Sequence, residues 1–165
     1  MFQRGEYVIY GIHGVCRVIG TEKQLVNRKR TEYLVLEPVG QAESRFYLPT
    51  GNEAAMAKLR PVLDAAGMRE LLESVEIREG TWIADENTRK QYYRELVSCG
   101  DRNALLKMVS ALYRYRADQY AAGKKFHQCD DNFLRDAEKL LASEIGMVLE
   151  ISPEDARAYL REKLQ

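Results

Sequence analysis

The sequence is poor in the residues and patterns that mark several common classes of protein. It holds only three cysteines, Cys16, Cys99 and Cys129, whereas a secreted disulfide scaffold has a dense and even set. No apolar run approaches the ~18 residues that a membrane span needs, and the first residues lack the apolar core of a signal peptide. We therefore expect a cytoplasmic protein with reduced thiols and no membrane contact.

Net charge is absent as well, because 25 Lys and Arg residues balance 25 Asp and Glu residues. A protein that binds nucleic acid through bulk charge would be strongly basic, so any nucleic-acid contact must use a local patch. What the chain does have is 45% hydrophobic residues among 165, which suffices for one packed domain or two small ones.

Residues for catalysis or metal binding are scarce. The two histidines lie near cysteines, His13 with Cys16 and His127 with Cys129, but neither pair has a spacing typical of zinc sites. The alternative is a turn histidine, a small buried cysteine and a surface loop. No phosphate-binding Gly-rich loop and no local signature of a cysteine nucleophile occur. We therefore expect a non-enzymatic protein with no metal, no cofactor and no small-molecule substrate.

The period of the hydrophobic pattern changes near residue 64. Before it, short β-branched and aromatic runs alternate between turn residues, which is typical of a small, bent antiparallel sheet or partial barrel. After it, apolar residues recur with a helical period, and Asp64, Asp101 and Ser152 are placed to cap helices. We predict an α+β protein: a small antiparallel β-barrel head at residues 1–63, then a helical tail of about five helices at 64–165.

One candidate docking segment lies in the head. Its residues are predicted to form an exposed edge strand, and they are Arg45, Phe46, Tyr47, Leu48 and Pro49. An unprotected edge strand can pair with a strand of a partner, which suits a docking module. The alternative is that this strand is a covered member of the barrel.

Trp82 is the only tryptophan, and we predict that it opens a helix that runs to Ser98 after a hinge at residues 76–81. Residues three and four apart share a helix face, and cations there can take phosphates while a ring wedges against a base step. The predicted DNA-facing set is Trp82, Arg89, Lys90, Arg94, Lys124 and Lys125. The alternative, which the residues alone favour, is that Trp82 packs on the helical core while Glu86 and Lys90 form a surface ion pair.

Several short motifs resemble, in their order and spacing, those of the CarD/CdnL family of bacterial RNA polymerase-binding regulators. They are GEYVIYGIHG at 5–14, EYLVL at 32–36, YLP at 47–49, Trp82, SCGD at 98–101, and AEKLL at 137–141 followed by Glu144. The head alone also resembles the polymerase-binding module of transcription-repair coupling factors. The resemblance implies a Tudor-like head that binds the polymerase β subunit. It also implies a helical tail that contacts promoter DNA, with Trp82 in the minor groove.

Two functional hypotheses follow. In the first, the chain binds the RNA polymerase β subunit through residues 45–49 and stabilises the promoter open complex. It does so through contacts of its tail with the DNA backbone and minor groove that do not read sequence. In the second, the chain is a polymerase-docking adaptor that never touches DNA, which the zero net charge and the acidic residue Asp131 favour.

Overall fold

The β-branched and aromatic runs near the N-terminus form five antiparallel strands in the computed structural model, which describes residues 2–165. They are β1 (Tyr7–Tyr10), β2 (Val15–Val26), β3 (Lys29–Pro38), β4 (Phe46–Pro49) and β5 (Leu59–Pro61). The sheet order is β4-β3-β2-β1-β5, so β4 and β5 lie at its edges. A short helix, α1 (Glu53–Met56), connects these two edge strands.

The core of the head lies on one face of this sheet. A β-bulge between Val18 and Gly20 adds local bend, and Gly20 takes a φ of 149° that favours glycine. The bend helps one face to enclose a small apolar cluster. Its buried members are Val8, Cys16, Val18, Leu34, Leu36, Leu48 and Leu59.

The rest of the chain is helical. The helices are α2 (Ala65–Glu73), α3 (Glu86–Cys99), α4 (Arg102–Ala121), α5 (Gln128–Leu149) and α6 (Pro153–Leu164). A turn of 3₁₀ helix at Glu76–Arg78 lies between α2 and α3. Asp64, Asp101 and Ser152 accept hydrogen bonds from backbone N–H groups of the first turns, as predicted caps should. The predicted α+β class, a sheet followed by about five helices, is confirmed.

The chain forms two compact units, Met1–Val62 and Leu63–Gln165. The helical unit has its own apolar core, to which α4 contributes the predicted stripe. The residues of that stripe, all buried, are Leu105, Val109, Leu112 and Tyr113. Within the described part of the chain, no helix combines the length and the apolar character that crossing a bilayer would need.

The prediction of a hinge at residues 76–81 is wrong. Ile77 is fully buried, and Arg78 donates to the backbone oxygens of Ser74 at 2.6 Å and Lys163 at 2.5 Å. A Cβ added at Gly80 would lie only 2.1 Å from the backbone oxygen of Lys107. The segment is thus packed against the other helices, because its one arginine binds backbone carbonyls and its glycine permits close contact with α4.

Candidate functional site

Strand β4 lies at an edge of the sheet, as predicted, and pairs only with β3 among the described residues. Successive side chains alternate between the two faces of a strand. Leu48 is buried in the head core, whereas Tyr47 is 44% exposed and lies edge-to-face with Tyr33 at 6.5 Å. The strand therefore has one face fixed by the core and one aromatic side chain open to a partner.

The main chain of β4 is also partly unpaired. Thr50 lies opposite Glu32 in the register, and its N–H donates to the Glu32 carbonyl oxygen at 3.0 Å. Along an antiparallel pair, residues whose backbone groups bond the neighbouring strand alternate with residues whose backbone groups point away from it. Leu48, two residues before Thr50, therefore also bonds β3, whereas the N–H and C=O of Tyr47 point away from the sheet. Pro49 follows the same rule, since its missing N–H falls on the outer side. Tyr47 thus offers a backbone donor and acceptor at the edge.

Arg45 and Phe46 differ in their surroundings. Arg45, just before β4, is exposed and lies 3.9 Å from Glu37 through its guanidinium. Phe46 is half-buried in an aromatic cluster, 5.4 Å from the Tyr10 ring and 4.2 Å from the His13 ring. Desolvation and the nearby charge of Lys58 lower the pKa of His13, which disfavours a charge on this ring beside Phe46.

Trp82 does not lie on a helix, which corrects the prediction that it opens one. Helix α3 begins at Glu86, because the Asp85 carboxylate accepts a hydrogen bond from the Thr88 N–H at 2.9 Å and so caps it. The other end of the helix is as predicted, with Gly100 as a left-handed cap. Trp82 lies in the preceding loop, so the shared helical face expected for it and the cations of α3 does not form.

The Trp82 ring is held between two side chains. Tyr115 stacks on it with ring centroids 3.6 Å apart and planes 8° apart, and the Arg89 guanidinium carbon lies 4.2 Å from its centroid. Tyr115 and the Arg89 guanidinium must lie on opposite faces of the Trp82 ring, because the stacked Tyr115 ring leaves no room for the guanidinium on the same face. The indole N–H makes no hydrogen bond to any residue from 2 to 165. Trp82 is only partly buried, so its edge, and not its faces, is open.

Arg89 was expected on a DNA-facing surface, but it is buried, with 4% of its surface exposed. It makes two hydrogen bonds to the fully buried Asp130 carboxylate, at 2.9 and 3.1 Å, and one to the Ile83 carbonyl oxygen at 2.9 Å. Burial alone would lower the pKa of Arg89, but the bonds to Asp130 and its charge outweigh burial and raise it. Arg89 therefore fixes the Trp82 loop instead of facing solvent.

The remaining predicted cations are more accessible. Lys90 forms the predicted ion pair with Glu86 at 2.8 Å, and this pairing raises the pKa of Lys90. Arg94 is exposed one turn further along α3, while Lys124 and Lys125 are exposed in the loop after α4. The next residue, Phe126, lies 6.4 Å from Tyr115, which stacks on Trp82. The residue after the two lysines is thus linked to Trp82 through Tyr115, whereas Arg89 lies against a face of the Trp82 ring.

Sequence reasoning missed two buried carboxylates on α5. Glu138 accepts a 2.6 Å bond from the Tyr113 hydroxyl and pairs with Arg161 at 3.0 Å, while Glu144 pairs with Arg102. Burial, followed by the bond to Glu138, raises the pKa of Tyr113. The available signal was an acid inside an apolar helical stripe, which is costly unless paired. These pairs join α4, α5 and α6, and no substrate group is needed to explain them.

The cysteines and histidines show no common site. Cys16 is buried, which raises the pKa of its thiol to about 11. His13 packs against aromatic rings in the head, and His127 precedes α5 without a side-chain cap bond. Across residues 2–165, no three His, Cys, Asp or Glu side chains are grouped as metal ligands.

Comparison with known protein families adds a match that covers the head. Residues 2–63 match the family model described as the CarD-like/TRCF RID domain, which is an RNA polymerase-interacting domain. This range coincides closely with the compact unit Met1–Val62, which contains β4 and its open edge. Residues 2–63 are therefore similar to the CarD-like/TRCF RID domain, and this match supports a CarD-like, RNA polymerase-interacting assignment for the head.

Proposed function

We propose that the chain is a transcription regulator that docks on the RNA polymerase β subunit by adding a partner strand to β4. The observation that carries this proposal is the open edge: the N–H and C=O of Tyr47 point outward and its side chain is 44% exposed. Strand addition draws affinity from main-chain hydrogen bonds and specificity from alternate side chains. The family match supports a polymerase partner, and the edge supplies a physical mode of binding.

Side chains near β4 favour one partner chemistry. Tyr47 and Tyr33 offer aromatic surface on one face, and Arg45 offers an exposed cation beside the strand. Because Glu37 lies 3.9 Å from Arg45 and has a closer partner in Arg17 at 3.3 Å, Arg45 can turn to a partner carboxylate at little cost. We expect the partner strand to carry apolar residues opposite Tyr47 and an acid opposite Arg45.

We further propose that the helical unit contacts promoter DNA without reading its sequence. Trp82 presents an open indole edge with an unbonded N–H, and Lys124 and Lys125 lie in the loop reached through Tyr115 and Phe126. Minor-groove acceptors and phosphates are the groups that such a donor and such cations bind. A protein that binds the open complex more tightly than the closed one shifts the population toward the open complex.

A second candidate, the docking adaptor without DNA contact, has one specific observation in its favour. Both faces of the Trp82 ring are covered, by Tyr115 and by an Arg89 side chain that Asp130 holds in place. A ring that wedges between base pairs needs a free face, whereas this ring offers only its edge. The two candidates share the polymerase contact and differ only in the role of the helical unit.

The docking proposal is tested by measuring the affinity of the full-length chain for core RNA polymerase. Tyr47→Pro removes the outward N–H without removing a bond to β3, and Tyr47→Ala removes the ring but keeps the N–H. Loss of one main-chain hydrogen bond to the partner strand corresponds to about 1 kcal/mol, so Tyr47→Pro should weaken binding by about fivefold or more. Unchanged affinity for both variants would contradict docking through β4.

The DNA proposal is tested by the lifetime of promoter open complexes formed with polymerase and each variant. Lys124→Gln with Lys125→Gln should shorten this lifetime, whereas Lys139→Gln with Arg157→Gln removes the same charge from other exposed sites and should not. Trp82→Phe keeps an aromatic ring against Tyr115 but removes the indole N–H. If the Lys124/Lys125 variant and Trp82→Phe both support the wild-type lifetime while still binding polymerase, the helical unit makes no DNA contact, as the adaptor hypothesis states.

A further inference from the structure

The hairpin of β2 and β3 extends beyond the rest of the head. β1 pairs with β2 only at Val15, Cys16 and Arg17, and β4 reaches no further along β3 than Tyr33 and the Glu32 carbonyl. From the pair of Gln24 with Thr31 outward, the two strands pair only with each other. Every residue from 21 to 30 is exposed. A two-stranded ribbon therefore projects on the order of 10 Å from the sheet.

This ribbon carries the densest group of unneutralised cations among the described residues. Between positions 23 and 30 the sequence has four cations and no acid, namely Lys23, Arg28, Lys29 and Arg30. Glu32 lies opposite Lys23 in the register, so the three consecutive cations at the tip, 28–30, are the ones furthest from an acid. None of the four makes an ion pair or a side-chain hydrogen bond with any residue from 2 to 165. Cations of the helical unit such as Arg89, Arg102 and Arg161 are instead paired with buried carboxylates. The four ribbon cations are thus free to bind an external anion.

The tip of the ribbon is a tight turn, which fixes the backbone that carries these cations. Asn27 and Arg28 both have positive φ angles, 48° and 62°, which is the pattern of a tight two-residue hairpin turn. Asparagine tolerates this conformation and glycine is favoured in it, whereas a long side chain is strained there. Arg28 thus adopts a conformation that favours glycine, while its side chain is exposed at the tip of the ribbon.

The apolar residues of the ribbon are arranged beside the cations. Leu25 is 72% exposed and lies opposite Arg30, while Val26 is 40% exposed and lies opposite Lys29. Because successive side chains alternate between faces, each face of the ribbon carries one apolar residue and one cation. This pairing suits a duplex backbone, where phosphates alternate with apolar sugar carbons. A two-stranded ribbon is also narrow enough to enter a major groove of ~12 Å.

We propose that this basic hairpin, residues 23–30, binds the phosphate backbone of duplex DNA without reading its sequence. The inference goes beyond docking at β4, because it gives the head itself a DNA contact that needs neither β4 nor the helical unit. Duplex DNA is favoured over an acidic protein surface because the cations occupy both faces and the tip of the ribbon. A flat protein surface would meet only one of those faces, whereas a groove surrounds all of them.

The test measures binding of the full-length chain to a labelled mixed-sequence duplex, without polymerase, over a range of salt concentrations. The hairpin variant combines Arg28→Asn, Lys29→Gln and Arg30→Gln, with asparagine chosen for the positive φ. Each lost phosphate contact reduces the slope of log affinity against log salt by about 0.9, so three contacts predict a reduction of roughly 2.7. At low salt we expect an affinity loss of at least about tenfold.

The control variant combines Arg69→Gln, Lys139→Gln and Arg157→Gln, three exposed cations of the helical unit whose loss changes the net charge by the same amount. An equal loss of affinity in this control would mean that bulk charge alone is measured, and would overturn the proposal. So would an unchanged affinity of the hairpin variant. A hairpin variant that binds DNA normally but loses polymerase would assign the ribbon to a protein contact instead.

A second variant separates DNA binding from folding. Arg28→Gly removes one cation and relieves the backbone strain at the tip, so the thermal midpoint should hold or rise while the salt slope falls by about 0.9. A purely structural role for Arg28 would lower the midpoint and leave DNA affinity unaltered. Polymerase binding by both hairpin variants should equal that of the wild type, so failure of this proposal is distinguishable from failure of docking at β4.

Discussion

The buried pair of Arg89 and Asp130 provides the sharpest test of how the Trp82 loop is held. Asp130→Asn keeps the size of the side chain but removes its charge, which leaves the Arg89 guanidinium buried beside a neutral amide. Removal of one partner of a buried ion pair costs about 3–5 kcal/mol of folding free energy. Arg89 keeps its bond to the Ile83 carbonyl oxygen at 2.9 Å, so we expect a value near the lower end, about 3 kcal/mol.

The assay is urea unfolding followed by the fluorescence of Trp82, the only tryptophan, which reports on the helical unit alone because it lies in that unit. The matched control is Asp131→Asn, which removes the same charge one residue along α5. Asp131 pairs with Arg135, whose side chain is 71% exposed, so its loss should cost about 0.5 kcal/mol or less.

A double variant completes the experiment. Arg89→Met with Asp130→Leu removes both charges, so no unpaired charge stays buried and the loss of stability should be smaller than for Asp130→Asn alone. The native emission of Trp82 should also change, because the cation on one face of its ring is gone. Equal losses for Asp130→Asn and Asp131→Asn would refute the conclusion that the Arg89–Asp130 pair fixes this loop.

Three further predictions concern the helical unit. Gly80→Ala places a Cβ at 2.1 Å from the Lys107 carbonyl oxygen and should cost about 1–3 kcal/mol or more in urea unfolding, whereas Gly51→Ala, with open space around it, should cost little. Tyr93→Phe removes a buried hydroxyl without a partner among the described residues and should not destabilise, but Tyr113→Phe breaks a 2.6 Å bond to a buried carboxylate and should cost about 1–3 kcal/mol. Burial also raises the pKa of Tyr93 to about 12 from the ordinary value of about 10. The hydroxyl is neutral in both the folded and the unfolded chain below pH of about 10, so the free energy of unfolding is lowered only above that pH, where the unfolded chain ionises first. Thermal midpoints should then fall as pH rises from about 10 towards 12, and should fall less in Tyr93→Phe; an equal fall would contradict the burial of this hydroxyl.

Local features of the fold were predictable from the sequence because their causes are local. The period change near residue 64, the capping residues Asp64, Asp101 and Ser152, and the left-handed Gly100 depend on residues only a few positions apart. The edge position of β4 followed from its composition and from the proline that ends it.

Features that depend on distant residues were not predictable. Arg89 has the sequence context of an exposed helical cation, and only its partner Asp130, 41 positions away, makes it a buried one. The predicted start of α3 at Trp82 is too early, because the Asp85 carboxylate accepts the Thr88 N–H and caps the helix there. The supposed hinge contains polar residues and a glycine, yet Arg78 bonds to the carbonyl oxygen of Lys163, 85 positions away.

The most direct test of docking through β4 is amide hydrogen exchange of the full-length chain with and without core RNA polymerase. The Tyr47 N–H points away from the sheet and should exchange rapidly in the free protein, whereas the Leu48 N–H is already bonded to β3. If a partner strand adds to β4, polymerase should protect one further amide, that of Tyr47, in a peptide that spans β4. A peptide that spans β5 should show no change in exchange. Unchanged exchange across β4 in a complex that has formed would contradict the proposed docking.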